Sequence, residues 1–330
     1  MAAPAFAQSE PEFTVVPYDV GLGRVADTEL DFVIPAATSA PAKIVIYSAS
    51  GYTADLGQAA GTKVGELFAT VSSGGASLDV RGDVVADSPA NYVADPRAQA
   101  CAPGAHAAVW VITVTLGGTT LRIPMFVDPT AGAEAALGSY KLQVCFASPY
   151  VPESQGGAPL GARLTEADID FPTTPGVWHN PSARGIYTWR ALVTPYTQGT
   201  ATPNAAGTYE LRSLASLPTR IAIKAKYNKK TKKTTIRGTF RPPAELGFPA
   251  SVVVEIFRTT SSGTKHIGRA KTSKGKFSFK TKQPKGITLY SALVGGYVGR
   301  CTVASSPAPA GCTRETVAPI FSNFARVRRK

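Results

Sequence analysis

The sequence predicts an all-β protein built from two domains. Its 330 residues include 31 glycines and 26 prolines, which break the chain into many short runs. Within those runs apolar and polar residues alternate with a period of two, as they do in a strand with one buried face. A sustained helical period of 3.6 residues is missing from every long window. Such a chain favours strands joined by turns, and it offers no apolar stretch of roughly 18 residues that could span a membrane.

The N-terminal residues "MAAPAFAQSE" resemble the end of a signal peptide. Ala5-Phe6-Ala7 fits the small-x-small pattern at which such peptides are cleaved, so residues 1–7 are interpreted as a signal-peptide remnant. This interpretation predicts a secreted, extracellular protein that is also a candidate for association with the cell wall. The alternative is an Ala/Pro-rich terminus without a targeting role.

The sequence pattern predicts strands throughout residues 8–217. The runs "ELDFVIP", "AKIVIYSA", "VGELFATV" and "SLDVRGDVV" come first, and "AAVWVITVTLGGTTLRIPMFVDP" forms a hairpin about Gly117-Gly118. "YKLQVCFASP", "LTEADIDF" and "GIYTWRALVTPY" follow. We expect a β-sandwich, either one large or two small, with Trp110 and Trp189 in its core.

Four cysteines, Cys101, Cys145, Cys301 and Cys312, allow three disulfide pairings. Proximity in sequence favours Cys101–Cys145 and Cys301–Cys312, which would suit an oxidising compartment. No C-x-x-C motif occurs, and the three histidines are scattered. Thiol redox catalysis and a zinc site are therefore disfavoured, and no cofactor is expected.

Charge divides the chain sharply near Pro218. Residues 1–217 hold 11 Lys+Arg and 19 Asp+Glu, whereas residues 218–330 hold 24 Lys+Arg and only 3 Asp+Glu. The net charges are therefore −8 and +21. A change of this size predicts a domain boundary, with an acidic domain at 8–217 and a basic domain at 218–330.

About seven strands are expected in the basic domain. The segment 221–240 reads as a hairpin, because "IAIKAKY" and "TTIRGTF" alternate on either side of the polar turn "NKKTKK". "SVVVEIF", "HIGRAKT", "FSFKT", "ITLYSALV" and "FSNFARVRR" supply the other strands. Seven short strands in about 110 residues are typical of a sandwich of immunoglobulin size.

The run "VVVEIFRTTSSGTKHIGRAKTSKGKFSFKTKQPKGITLYSALVGG" resembles the immunoglobulin-like domains of secreted proteins from high-GC Gram-positive bacteria. The matching features are an early apolar strand, a G-x-A-x-T strand, a G-x-F-x-F strand, and a late strand with Tyr followed by glycines. The resemblance covers about residues 218–326, and no family is recognised for the N-terminal half. It implies an immunoglobulin-like β-sandwich that acts as a spacer, stalk or adhesive unit, without catalytic residues.

Seventeen residues, 224–240, carry seven lysines or arginines and no acid. The simplest interpretation is the solvated face of a hairpin, where lysine also prevents edge-to-edge aggregation. The functional interpretation is a surface for anionic polymers, because further lysines extend the excess charge over the same domain. Sequence-specific nucleic-acid binding is not expected, since no recognition helix is present. The residues assigned to this surface are Lys229, Lys230, Lys232, Lys233, Lys271, Lys274 and Lys276.

Two other candidate sites lie in the acidic domain. The loop containing Trp178, His179, Asn180 and Arg184 combines an aromatic ring with hydrogen-bonding groups, which suits a sugar ligand. The simpler interpretation is a tryptophan packed into the core. Glu166, Asp168 and Asp170 alternate along one strand, and such carboxylates are a weak candidate for calcium or for acid–base catalysis.

The sequence leaves three hypotheses about function open. The first is a secreted or envelope-associated, non-enzymatic binding or structural protein whose basic module contacts cell-wall polymers, glycans or a partner. The second is a secreted carbohydrate-active enzyme or carbohydrate-binding protein that uses the N-terminal domain. In the third, the oppositely charged domains dock on each other. The ligand and the oligomeric state are not determined by the sequence.

Overall fold

The computed structural model describes residues 10–299, 301 and 312–329. The signal-peptide remnant proposed for residues 1–7 lies outside this range. The chain forms two compact units that are each discontinuous in sequence. The first unit consists of Met1–Ala183, Tyr187–Ala215 and Val298–Thr316, and the second of Arg184–Ile186, Ser216–Tyr297 and Val317–Lys330. The chain thus leaves the first unit near Ser216 and returns to it at Val298–Thr316.

Strands make up most of both units, so the predicted all-β class is confirmed. The first fourteen strands are β1 (Glu12–Pro17), β2 (Val25–Ala26), β3 (Thr28–Val33), β4 (Pro41–Tyr47), β5 (Thr53–Ala54), β6 (Lys63–Ser73), β7 (Ala76–Asp87), β8 (Ala108–Leu116), β9 (Thr119–Pro129), β10 (Tyr140–Cys145), β11 (Arg163–Phe171), β12 (Trp178–His179), β13 (Gly185–Pro195) and β14 (Tyr209–Leu217). The remaining strands are β15 (Ala222–Asn228), β16 (Lys233–Thr239), β17 (Val253–Thr260), β18 (Gly263–Lys271), β19 (Lys276–Lys282), β20 (Gly286–Val294), β21 (Tyr297–Gly299), β22 (Cys312–Val317), β23 (Ile320–Phe321) and β24 (Ala325–Arg329).

Helix is scarce. The α-helix α1 (Pro96–Cys101) begins after Asp95, whose side chain accepts hydrogen bonds from the backbone N–H groups of Arg97 and Ala98, as an N-cap residue does. Short 3-10 helices occupy Pro89–Tyr92, Gly132–Ala136, Glu153–Gln155, Pro159–Gly161, Ala205–Gly207 and Ala244–Leu246. None of the helices in the described ranges has the length and hydropathy that a membrane span requires.

A single 13-stranded sheet forms the frame of the first unit. Its strand order is β1-β3-β11-β6-β7-β8-β9-β10-β4-β13-β14-β22-β21, and a separate small sheet has the order β2-β12-β5. The sandwich expected for residues 8–217 is not confirmed, because these strands belong to one continuous sheet and not to two facing ones. β22 follows the first fourteen strands by nearly a hundred residues, yet it lies next to β14.

The large sheet curls until it is nearly closed. Its first strand, β1, meets side chains of strands near the opposite end: Val15 N donates to Ser213 Oγ at 2.8 Å, and Thr316 Oγ1 donates to Phe13 O at 2.5 Å. Arg314 Nη2 also lies 3.0 Å from Glu12 Oε1. Curling removes most of the exposed edge that an open sheet of this length would present.

Aromatic rings fill part of the concave face of this sheet. Trp110, Trp178 and Trp189 are fully buried, so the core positions predicted for Trp110 and Trp189 are confirmed. The ring centroids of Trp178 and Trp189 lie 5.2 Å apart with the planes at 78°, an edge-on arrangement that aromatic pairs prefer. Phe171 packs against both Trp110 and Trp178.

Both predicted disulfides are present. Cys101 at the end of α1 is bonded to Cys145 at the end of β10, with Cα atoms 5.9 Å apart, and Cys301 is bonded to Cys312 with Cα atoms 6.1 Å apart. The first bond fastens α1 to the outer side of the sheet, where Ala98 packs with Val111 and Phe126. Residues 302–311, the Pro- and Ala-rich segment between Cys301 and Cys312, lie outside the described residues.

The second unit has two antiparallel sheets. One contains β15, β16 and β19 in that order, and the other has the order β18-β17-β20-β23, with β24 also paired to β20. The seven strands that the sequence predicts for this region all form, the last of them divided into β23 and β24. Each sheet buries one face, as the burial of Ile236 and Phe277 in the first and of Ile256 and Tyr290 in the second shows.

A buried amide links the two sheets of the second unit. Gln283 is fully buried, and its Oε1 atom accepts hydrogen bonds from Thr234 Oγ1 on β16 and from Tyr290 Oη on β20, the latter at 2.7 Å. Its Nε2 atom donates to Thr288 Oγ1 at 2.9 Å. Because each of these polar groups has a partner, the network stabilises one packing of the sheets.

Candidate functional site

The lysine-rich segment 224–240 forms the hairpin that the sequence predicts. β15 pairs antiparallel with β16, with Asn228 opposite Lys233 and Ala225 opposite Ile236. The Asn228 Oδ1 atom accepts hydrogen bonds from the backbone N–H groups of Lys230 and Thr231, which fixes the start of the turn. Ile223 and Ile236 are buried while the lysines of both strands are exposed, so one face packs and the other meets solvent.

β19 extends this hairpin into a three-stranded sheet with a strongly basic outer face. Arg237 lies opposite Lys224 on β15 and opposite Ser278 on β19, and Lys233 lies opposite Lys282. All side chains in these rows point to the same side, because residues paired across strands share a face. We call this surface the basic face, and its cations are Lys224, Lys226, Lys233, Arg237, Lys276, Lys280 and Lys282.

The basic face concentrates its charge in a small area. Three strands at the usual spacing give a width of about 10 Å, and the seven paired rows from Lys276 to Lys282 give a length of about 20 Å. All seven cations are exposed. Within the part of the chain that the structure describes, none of them forms an ion pair with a carboxylate.

The predicted basic surface only partly coincides with this face. Lys233 and Lys276 belong to it. Lys229, Lys230 and Lys232 lie in the turn between β15 and β16, and Lys274 lies in the turn between β18 and β19. Lys271 ends β18 and therefore belongs to the other sheet. The alternating pattern of β15 and β19 could have located the rest of the face, but the pairing of β16 with β19 brings the cations together.

The loop proposed to bind sugar does not form an aromatic surface. Trp178 is fully buried among Trp110, Phe171 and Trp189, so it cannot stack against a ligand at the surface. Asn180 is also buried, and its Nδ2 atom donates to the backbone oxygens of Asp19 at 2.6 Å and of Gly21 at 3.1 Å.

His179 is only partly exposed, since it pairs in the small β2-β12-β5 sheet. Of the four proposed residues, Arg184 alone is exposed. Trp178 and Asn180 therefore serve packing. The signal that could have indicated this is the apolar Val177 beside Trp178, which is buried as well.

Glu166, Asp168 and Asp170 lie on one face of β11, as the alternation predicts, but they do not converge. Asp168 is directly opposite Asp31 of β3, and Asp170 is opposite Glu29. Alternate residues of a strand are about 7 Å apart, which is too far for three carboxylates to share one small ion. Among the described residues no group of three or more His, Cys, Asp or Glu is arranged to hold a metal ion.

The carboxyl groups of Asp31 and Asp168 lie on paired positions of neighbouring strands, and both have a raised pKa. Burial, together with the charge of Asp168, raises the pKa of Asp31 to about 7, and burial also raises the pKa of Asp168. Burial and the nearby Asp27 raise the pKa of Asp170 to about 6. Neutralising one carboxyl of such a pair relieves repulsion that the sheet would otherwise carry.

No protein-family model matches the chain, and no curated protein matches it either. The function of the chain must therefore be inferred from its own residues. The basic face is exposed, has no carboxylate partner among the described residues, and suits an extended anionic ligand.

Proposed function

We propose that the protein is an exported, non-enzymatic binding protein whose basic face contacts anionic polymers of the cell exterior. The observation that carries this proposal is the set of seven exposed cations on one face of the β15-β16-β19 sheet. A linear polyanion can touch several of them at once, and each contact releases a counterion. The ligand is recognised by its charge density and not by a base sequence.

Protection of sheet edges does not account for the whole face. Lysines on edge strands discourage aggregation, and β15 and β19 are the two edges of this sheet. However, the central strand β16 contributes Lys233 and Arg237. Like charges directly opposite each other, such as Lys224 with Arg237, destabilise a sheet. Such repulsion at the central strand is expected where the charges bind a ligand.

An extracellular location is consistent with the covalent structure. The two disulfides, Cys101–Cys145 and Cys301–Cys312, are of the kind that persist in oxidising compartments. We further propose that the second unit is an immunoglobulin-like sandwich that presents the basic face, and that the first unit has a separate binding role. Secretion and the immunoglobulin relationship rest on the sequence features given above.

The test is retention of the full chain on an immobilised anionic polymer. Poly(glycerol phosphate) and heparin are the two probes, at low and high salt. One variant replaces Lys224, Arg237 and Lys280 by glutamine on the face. The matched control replaces Lys265, Arg326 and Lys285, three exposed cations outside it, and so loses the same net charge.

We expect the face variant to elute at clearly lower salt than the control on at least one polymer. Equal elution of the two variants would mean that retention depends on net charge alone, and the proposed role of the face would be wrong. Absence of retention for the unaltered protein at low salt would contradict the proposal as a whole.

A further inference from the structure

A large cavity lies within the first unit. The space is partly open to solvent, and its volume of about 1190 Å³ lies above the range of about 300–1,000 Å³ that is usual for small-molecule sites. Eight strands that are consecutive in the sheet order, from β3 to β4, each contribute aliphatic or aromatic residues to its lining. Strands so far apart in a sheet can line one cavity only because the sheet curls around it. Representative residues are Phe32, Ile44, Ala69, Val80, Ile112 and Val144.

The apolar lining continues the inner face that carries the tryptophans. On β8, Trp110, Ile112, Val114 and Leu116 alternate on one side, and all four are buried. Trp110 packs in the aromatic cluster, whereas the three aliphatic residues line the cavity. The aromatic cluster therefore fills one part of the inner face, and the aliphatic residues leave space in the rest.

A cavity of this kind favours an apolar occupant. Protein interiors are normally packed as densely as organic crystals, and few voids exceed the size of a water molecule. Water is a poor occupant for walls of Ile, Val and Leu, because it finds few hydrogen-bond partners there. An alkyl chain placed against these side chains would be removed from water along its whole length, which is favourable for each methylene group.

Arg163 is a half-buried cation of the lining that forms no ion pair with a carboxylate among the described residues. Arg163 begins β11, next to Leu164, and both residues line the cavity. Its Nη2 atom donates to Pro35 O at 3.0 Å, to Thr38 O, and to Thr38 Oγ1 at 3.3 Å. Its Nε atom is buried and finds no acceptor among the described residues. Burial lowers the pKa of this guanidinium.

The other cations that border this space, Arg122, Lys43 and Arg97, lie on the outer side of the sheet, where α1 packs. Arg122 lies 3.0 Å from the Asp87 carboxylate, and Lys43 donates to Cys101 O at 2.7 Å in the neighbourhood of Glu134. Arg97 is exposed to solvent. A half-buried guanidinium without a carboxylate is unfavourable by itself and gains from an anionic group brought by a ligand.

We propose that this cavity binds an aliphatic chain that ends in a carboxylate, with the chain against the aliphatic lining and the carboxylate at Arg163. Ligand class and orientation both follow from the lining. The walls select length and hydrophobicity, and the guanidinium selects the head group. The proposal concerns the first unit and is independent of the basic face, which lies in the second.

The test measures binding of cis-parinaric acid to the full chain by its fluorescence, with stearic acid and stearyl alcohol as competitors. Ala69→Phe places a ring in the cavity, because Ala69 is buried and lines it. The matched control is Thr70→Phe, the next residue on β6, which points to the opposite face. Arg163→Gln removes the charge.

We expect Ala69→Phe to weaken parinarate binding by about tenfold or more, because the added ring takes up ligand volume. Thr70→Phe should leave binding within about twofold of the original protein, since its side chain lies outside the cavity. Arg163→Gln should weaken the binding of stearic acid by about tenfold or more, because the acid loses a charged hydrogen bond. The affinity for stearyl alcohol should stay unchanged.

Tryptophan emission verifies that each variant is folded, since Trp110, Trp178 and Trp189 are all buried in the first unit. If Ala69→Phe alters that emission, Ala167→Phe, another buried lining residue, replaces it. The proposal is wrong if the original protein does not bind parinarate, or if the Thr70 control weakens it as much as the cavity variant. If Arg163→Gln lowers the affinity for the acid and for the alcohol equally, the assignment of the carboxylate to Arg163 is wrong.

Discussion

Replacing Lys224, Arg237 and Lys280 together by glutamine removes three of the seven cations of the basic face. The three side chains are exposed and come one from each strand of the sheet, so the substitution should not disturb the packing beneath. Its effect on polyanion binding is best measured as a salt dependence. The slope of log K against log salt counts the charges that contact the ligand, whereas a single affinity does not.

The magnitude follows from the number of cations. With single-stranded oligodeoxythymidine as a probe of known charge spacing, each contact contributes about −0.7 to the slope. Seven contacts give a slope of about −5, and four give about −3. Between 50 and 200 mM salt the original protein should therefore lose about a thousandfold in affinity, and the variant about fiftyfold.

The assay is fluorescence anisotropy of a labelled oligonucleotide, titrated with the full chain at four or more salt concentrations. The control variant, with Lys265, Arg326 and Lys285 replaced by glutamine, has the same net charge as the face variant. Its slope should stay near about −5, because these residues lie outside the face. If the control loses as much slope as the face variant, the ligand is held by the general charge of the protein and the basic face has no specific role.

Three stability predictions follow from the interior. Gln283→Leu should destabilise the second unit by about 3 kcal/mol or more, since three buried hydroxyls lose their partner. Hydrogen exchange of the backbone amides in that unit measures the loss, and unchanged protection would contradict the prediction. Asp31→Asn should stabilise the first unit by about 1–2 kcal/mol at pH 8 and by almost nothing near pH 4, after allowance for solvent screening. The sign follows because the folded state keeps the Asp31 proton up to about pH 7, whereas an unfolded aspartate releases it near pH 4, so ionisation destabilises the fold progressively across that interval. Urea midpoints at both pH values test this, and equal gains at the two pH values would contradict it. Trp178→Ala should cost about 3–5 kcal/mol in urea unfolding followed by the remaining tryptophans, whereas a loss near zero would mean that its ring does not support the core.

Local patterns in the sequence predicted local structure well. The hairpin of β15 and β16 follows from alternation on both sides of a polar turn, and its register agrees with that alternation. Cysteine proximity predicted both disulfides, and the strand context of Trp110 and Trp189 predicted their burial. In each case the decisive residues are neighbours in sequence or lie in one continuous run.

The candidate sites depended on contacts that the sequence does not contain. Trp178 lies between proline and glycine breaks and looks like a loop residue, yet the curled sheet buries it completely. Glu166, Asp168 and Asp170 share a face as predicted, but their partner Asp31 comes from a strand more than a hundred residues earlier. Arg163 gave no signal at all in the sequence, because its surroundings come from the segment around Pro35 and Thr38.

By itself the sequence determined the strand content, the turns, the disulfide pairs and the uneven distribution of charge, because each of these depends on residue type and on a period of two along the chain. Only the tertiary structure decided that thirteen strands form one curled sheet, that β22 joins it beside β14, and that β16 and β19 align their cations. The physical reason is that strand pairing is a contact between distant segments. Many pairings satisfy the same alternation, and the choice among them is made by packing over the whole sheet.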